Sequence, residues 1–145
     1  MAEASVLKLH ICPGHRKAMR SVKGVQAILD YGLAGDSHAK PGSRRQVLLV
    51  QSETLQEANL KPADIRENIT TLGIPLTNLG PGDRLTVGQV VLEVTGPCTG
   101  CARLEEVKPG LQNTLSGHRG ILAKVVHGGT IEVGESVNLM ERCGS

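Results

Sequence analysis

A mostly β fold with a few short helices, in a compact barrel or sandwich, is what the amino-acid sequence predicts. Three observations carry that expectation. The 145-residue chain holds 18 glycines and 7 prolines spread along its length, which cut it into segments too short for a bundle of long helices. Its apolar residues are aliphatic: Tyr31 is the only aromatic, with no phenylalanine or tryptophan. The second half repeats short apolar-patterned runs bounded by glycines, a spacing that suits a barrel or sandwich better than a βαβ sheet.

The elements follow in chain order. "SVLKLHI", residues 5–11, alternates apolar and polar side chains with the period of a half-buried strand. "RRQVLLVQ", residues 44–51, is a short β-rich apolar run. It leads into "SETLQEANL", where Ser52 suits the cap of a short helix ending near Asn59. Pro62 in "KPADIREN" suits the first turn of a second brief helix. "RLTVGQVVLEV" reads as a hairpin about Gly88-Gln89, because a type II′ turn needs positive φ at its first central residue. "GILAKVVHGGTIEVGESVNLM" repeats the pattern, with turns at Gly128-Gly129 and Gly134. The tail "ERCGS" is expected to be loose. No repeat or linker divides the chain, so residues 1–145 are expected to form one domain with a core over about 5–140.

Composition narrows the function. A formal net charge of +2 is too small for field-driven binding of nucleic acid or membrane. The lack of aromatics removes the stacking platforms of single-strand binders. No run of about 18 apolar residues exists to span a membrane, and "MAEASVLKLHIC" lacks the basic and apolar regions of a signal peptide. The expected location is the cytoplasm, where Cys12, Cys98, Cys101 and Cys143 stay reduced. Metal binding or thiol chemistry is therefore favoured over a disulfide framework.

Three segments carry candidate chemistry. In "VLEVTGPCTGCARLEEVKPG", residues 91–110, Cys98 and Cys101 follow a predicted strand. As zinc ligands they make half a site; His10 with Cys12 is the other close pair. As a thioredoxin-like pair they lack the long helix that lowers the thiol pKa, since Pro109 follows within two turns. As a single reactive thiol, one of them sits in a loop opened by Gly96-Pro97 and Gly100, with Arg103 favouring the thiolate. The plain alternative is a buried cysteine that only packs. In "GLAGDSHAKPGSRRQ", residues 32–46, the residues Asp36, His38, Lys40, Arg44 and Arg45 share a glycine-containing loop suited to an anion such as phosphate, against the plainer reading of a solvated charged loop. In "IRENITT", residues 65–71, Arg66 offers a fork of donors and Asn68 both donor and acceptor for a heterocycle edge, against the plainer reading of a helix end and strand start.

Taken in order, "GLAGDSHA…RRQVLLVQ", "IRENITTLGIPLTNLGPGDRLTVGQVVLEVTGPCTGCARLEE" and "RGILAKVVHGGTIEVGESV" closely resemble a stand-alone MOSC domain, the family named for the C-terminal domain of molybdenum-cofactor sulfurases. The resemblance runs over about residues 5–140. It implies a distorted β-barrel and sulfur or molybdenum-cofactor handling through one cysteine. That cysteine matches Cys101, which ligates molybdenum in members that bind the cofactor. Cys98 matches a cysteine of many bacterial stand-alone members, able to resolve a persulfide on Cys101. The resemblance also assigns Arg66 and Asn68 to the pterin, Asp36 and His38 to a Gly-Asp-x-His block, and Thr99 to a small polar position at the cofactor. Arg44, Arg45 and His38 are candidates to neutralise the cofactor phosphate. The chain lacks a pyridoxal-phosphate desulfurase module, so a sulfur donor such as a cysteine desulfurase, or an electron-transfer partner, is implied. Three functions follow: a sulfur carrier or cofactor-binding protein; a molybdenum-dependent reductase of N-hydroxylated compounds; and a non-enzymatic zinc- or protein-binding module. Oligomeric state is not fixed by the sequence.

Overall fold

A computed structural model describes residues 4–14, 19–37, 39–43, 45–57, 67–74, 76, 79–97 and 120–140. These residues form eleven strands and one short helix: β1 Ser5–Ile11, β2 Arg20–Val22, β3 Gly24–Ile28, β4 Gly32–Leu33, β5 Val47–Gln51, α1 Ser52–Glu57, β6 Ile69–Leu72, β7 Arg84–Val87, β8 Val90–Pro97, β9 Ile121–His127, β10 Gly129–Glu132 and β11 Val137–Leu139. An eight-stranded sheet runs β11-β7-β8-β9-β5-β6-β1-β2, and a three-stranded sheet runs β10-β3-β4. The mostly β class is as expected. The helix proposed at Pro62 and the tail from residue 141 lie outside the described residues.

The barrel is a loose one among the described residues. The large sheet curls until Val6 N donates to Glu135 O at 2.9 Å, Gly134 N to Val6 O at 2.8 Å and Val137 N to Ala4 O at 2.9 Å. The start of β1 thus touches the chain entering β11, with a bridge at Ser5 and Ser136. The ladder does not close, however, because β2 lies beyond β1 at one end of the strand order and β11 at the other. One pairing is parallel: β5 and β6, with Leu49 opposite Ile69 and α1 in the connection between them. A parallel pair requires such a crossover, which the turn-rich sequence did not announce.

Local chemistry explains the well-predicted elements. β7 and β8 close at Val87 opposite Val90, leaving Gly88-Gln89 as the two-residue loop, and Gly88 has φ +60° as a type II′ turn demands. α1 is too short to persist alone and is held by burial of Leu55 and Thr54. Its expected cap is not made: the buried Ser52 hydroxyl has no hydrogen-bond partner among the described residues. The expected turn at Gly128-Gly129 is a change of sheet, since β9 belongs to the large sheet and β10 pairs with β3 in the small one.

The core is aliphatic throughout, as the composition requires. Leu9, Leu33, Leu49, Ile69, Leu85, Leu92, Ile121 and Ile131 are fully buried. No described helix is long and apolar enough to cross a membrane.

Candidate functional site

The polar interior gathers where β1, β5 and β6 meet. Asn68, immediately before β6, is 1% exposed. Its backbone N–H donates to Leu48 O at 2.9 Å, and its carbonyl accepts from His10 N at 2.8 Å. Its side chain repeats the same stitching: Oδ1 accepts from Leu48 N at 3.0 Å, while Nδ2 donates to His10 O at 3.2 Å and to Asp36 Oδ1 at 3.2 Å. Asp36 is also buried, and its Oδ1 accepts a second bond from Cys12 N at 2.7 Å. Cys12 O in turn accepts from Ser37 N at 2.7 Å. One asparagine and one aspartate therefore fasten the Gly35–Ser37 stretch to β1 and β5.

A second buried amide holds the far side of that loop. Gln46 is fully buried, its Nε2 donating to Asp30 Oδ1 at 3.2 Å and Lys40 O at 3.3 Å. Its Oε1 accepts from Val125 N on β9 at 3.0 Å. The loop is thus no loosely solvated run, although Lys40 and Arg45 point to an exposed surface.

His10 belongs to the same region. It is 7% exposed, and its Nδ1 has no hydrogen-bond partner among the described residues. Burial, with a smaller contribution from nearby Lys8, lowers its pKa below the ordinary histidine value, so the ring is held neutral. Cys12 is a buried cysteine whose Sγ donates to Gly14 O at 3.0 Å.

The strand register relates this polar seam to the cysteine segment. Gly96 on β8 lies opposite Leu122 on β9, and Leu122 lies opposite Leu48 on β5. Leu48 is bonded to Asn68, and Asn68 to His10. These five residues form one row across the sheet. At a strand spacing of roughly 4.8 Å, Gly96 stands roughly 14 Å from Asn68. β8 ends one residue later at Pro97, opposite Ile121. Gly120, where the chain rejoins β9, has φ +111°, and a Cβ there would meet the Leu49 carbonyl and the Val50 methyl. Only glycine fits that backbone and that approach.

Of the residues singled out by the sequence, the structure brings Asp36 and Asn68 into contact and leaves Arg45 exposed in the loop. Cys98, Thr99, Cys101, Arg66, His38 and Arg44 lie outside the described residues. Among the described residues, no group of three or more His, Cys, Asp or Glu side chains is arranged to hold a metal. Gln46 carried no sequence signal beyond being a polar residue at the head of an apolar strand.

Comparison with known proteins decides the family. The family model of the MOSC domain matches residues 36–138. The chain belongs to the MOSC domain family. Solved structures share the fold. The YuaD protein of Bacillus subtilis matches with a TM-score of 0.79 at 22% identity, over 95% of this chain and 96% of that one. YiiM of Geobacillus stearothermophilus gives 0.75 at 20% identity, over 96% and 76%. YiiM of Escherichia coli gives 0.70 at 20% identity, over 99% and 71%. At these identities the likeness is one of fold. No curated protein sequence matches this MOSC domain.

Proposed function

We propose that this MOSC domain handles sulfur or the molybdenum cofactor through the thiol of Cys101. The observation that carries the reading is the family match over residues 36–138, which contains the Cys98–Cys101 motif together with Asp36 and Asn68.

The donor types suit the cofactor. A thiolate is a soft ligand for molybdenum, and Arg66, Arg44, Arg45 and His38 supply cationic or hydrogen-bonding groups for a phosphate. Within the described residues, His10, whose backbone bonds to Asn68, has a buried Nδ1 left without a partner, the kind of group a bound polar molecule satisfies. When bound, the cofactor supplies the redox chemistry. Cys101 would hold the metal, and the cationic residues the phosphate. Loaded in this way, the domain would serve as a reductase of N-hydroxylated compounds once an electron-transfer partner is present.

As a sulfur carrier the chain needs no cofactor. The Cys101 thiolate attacks the outer sulfur of a donor persulfide, such as that of a cysteine desulfurase. A new S–S bond forms, the donor S–S bond breaks, and the donor leaves as a thiolate. Attack of the Cys98 thiolate on the inner sulfur of a Cys101 persulfide would form a Cys98–Cys101 disulfide and release the carried sulfur as hydrosulfide.

The test compares wild type, Cys98→Ala and Cys101→Ala, purified anaerobically. Labile sulfur released by cyanide, or bound molybdenum, is expected in wild type and Cys98→Ala and lost in Cys101→Ala. Retention in Cys101→Ala of whichever of the two wild type carries overturns the proposal. One zinc per chain, lost in both variants, replaces it with a zinc-binding module.

A further inference from the structure

We infer that Asn68 and Asp36 are positioning residues, which bond to each other and to the backbone of β1 and β5 instead of contacting a ligand. The inference rests on the cofactor reading above and refines it. Family resemblance places Asn68 at the pterin, but both of its N–H donors and one lone pair of its carbonyl oxygen already hold bonds inside the chain.

An asparagine amide has two N–H donors and one carbonyl oxygen. Here the donors go to His10 O and Asp36 Oδ1, and the oxygen accepts from Leu48 N. Turning the amide toward a pterin would break these bonds in a place that water does not reach, since Asn68 is 1% exposed. His10 O or Asp36 Oδ1 would lose a bond, and Leu48 N would be orphaned, each with a desolvation penalty. Asp36 is bound in the same way, with Oδ1 accepting from both Cys12 N and Asn68 Nδ2.

The pair is also well sited to position its neighbours. Arg66 precedes Asn68 by two residues, and His38 follows Asp36 by two. Fixing Asn68 between β1 and β5 fixes the end of the chain from which Arg66 extends. Fixing Asp36 against Cys12 does the same for His38. The latch thus joins two blocks that are far apart in sequence.

Three readouts test this: amide hydrogen exchange in the free chain, uptake of molybdenum cofactor released anaerobically from a carrier protein, and the side-chain amide signals of Asn68 in wild type. In Asn68→Ala the Leu48 amide, and in Asp36→Ala the Cys12 amide, is expected to exchange roughly tenfold faster or more than in wild type, because each loses its buried acceptor. The two substitutions should weaken uptake by similar factors, and the double variant no more than either, because both break one device. In wild type, the side-chain amide signals of Asn68 should keep their positions when cofactor is added. Shifted Asn68 signals, unchanged exchange at Leu48 and Cys12, or additive losses of uptake would each overturn the inference. Wild type that takes up no cofactor overturns the cofactor reading instead, and exchange in the free chain then decides on the latch alone.

Discussion

The sheet has two halves that share an aliphatic core and differ in the buried polar groups that one of them adds. β7, β8 and β9 meet through Leu85, Val87, Val90, Leu92, Val94, Ala123 and Val125, all buried and all aliphatic. β1, β6 and β5 meet around Asn68, which binds Asp36, His10 and Leu48. Aliphatic contacts stabilise without direction, and many packings of similar volume serve. Hydrogen bonds between buried polar groups fix one arrangement and are costly to leave half made. The first half therefore supplies stability and carries β8 to the edge of the Cys98–Cys101 segment. The second sets position, and it is where two of the sequence-predicted site residues meet.

Substitutions that break this contrast should differ in size and kind. Leu92 is fully buried at the centre of the aliphatic half, and Leu92→Ala should cost about 3 kcal/mol of unfolding free energy, seen in denaturant titration. Exchange at Cys12 relative to the global unfolding rate should stay as in wild type. Gln46→Leu keeps the volume but removes the acceptor of Val125 N and one of two donors to Asp30 Oδ1. It should cost about 2 kcal/mol, with protection lost first around residues 30 and 125.

His10 gives the contrast a pH signature. Its folded-state pKa lies below the ordinary value of 6.5, because burial and then Lys8 disfavour the charged ring. Below 6.5 the unfolded chain binds the proton more readily than the folded one, so stability falls as pH drops from 6.5 through the lower folded value. His10→Gln should remove that share of the slope, which unfolding midpoints measured from pH 7.5 down to 5 would show. An unchanged slope would place the titration elsewhere. The smallest effect belongs to the outer face of the aliphatic half. There Glu93 pairs with Arg84 at 3.2 Å and Lys124 at 3.5 Å. Glu93→Gln should cost less than about 1 kcal/mol and lose even that in high salt.

What could be read from the sequence follows from how local each feature is. β1 was legible because "SVLKLHI" alternates within seven residues, and the β7–β8 hairpin because Gly88 marks its turn. β3 was not, since Gly24–Ile28 is short and opens on glycine, with Gln26 and Ile28 exposed. The change of sheet at Gly128 looked like a hairpin turn because pairing with β3 is decided more than 100 residues away in the chain, as the Thr130–Gln26 bond shows. The latch was hidden for the same reason. Asn68 is 20 residues from Leu48, 32 from Asp36 and 58 from His10. The residue types pointed to a polar site, but a ligand contact and an internal tie use the same atoms, and only the fold separates them.

The central claim is that the Cys98–Cys101 segment handles sulfur or cofactor. Molybdenum, pterin and cyanide-releasable sulfur per chain, measured together on wild type purified anaerobically from a host that makes the cofactor, test it most directly. Near one equivalent of molybdenum with pterin, or of labile sulfur, is the predicted result. A chain carrying none of the three would contradict the account.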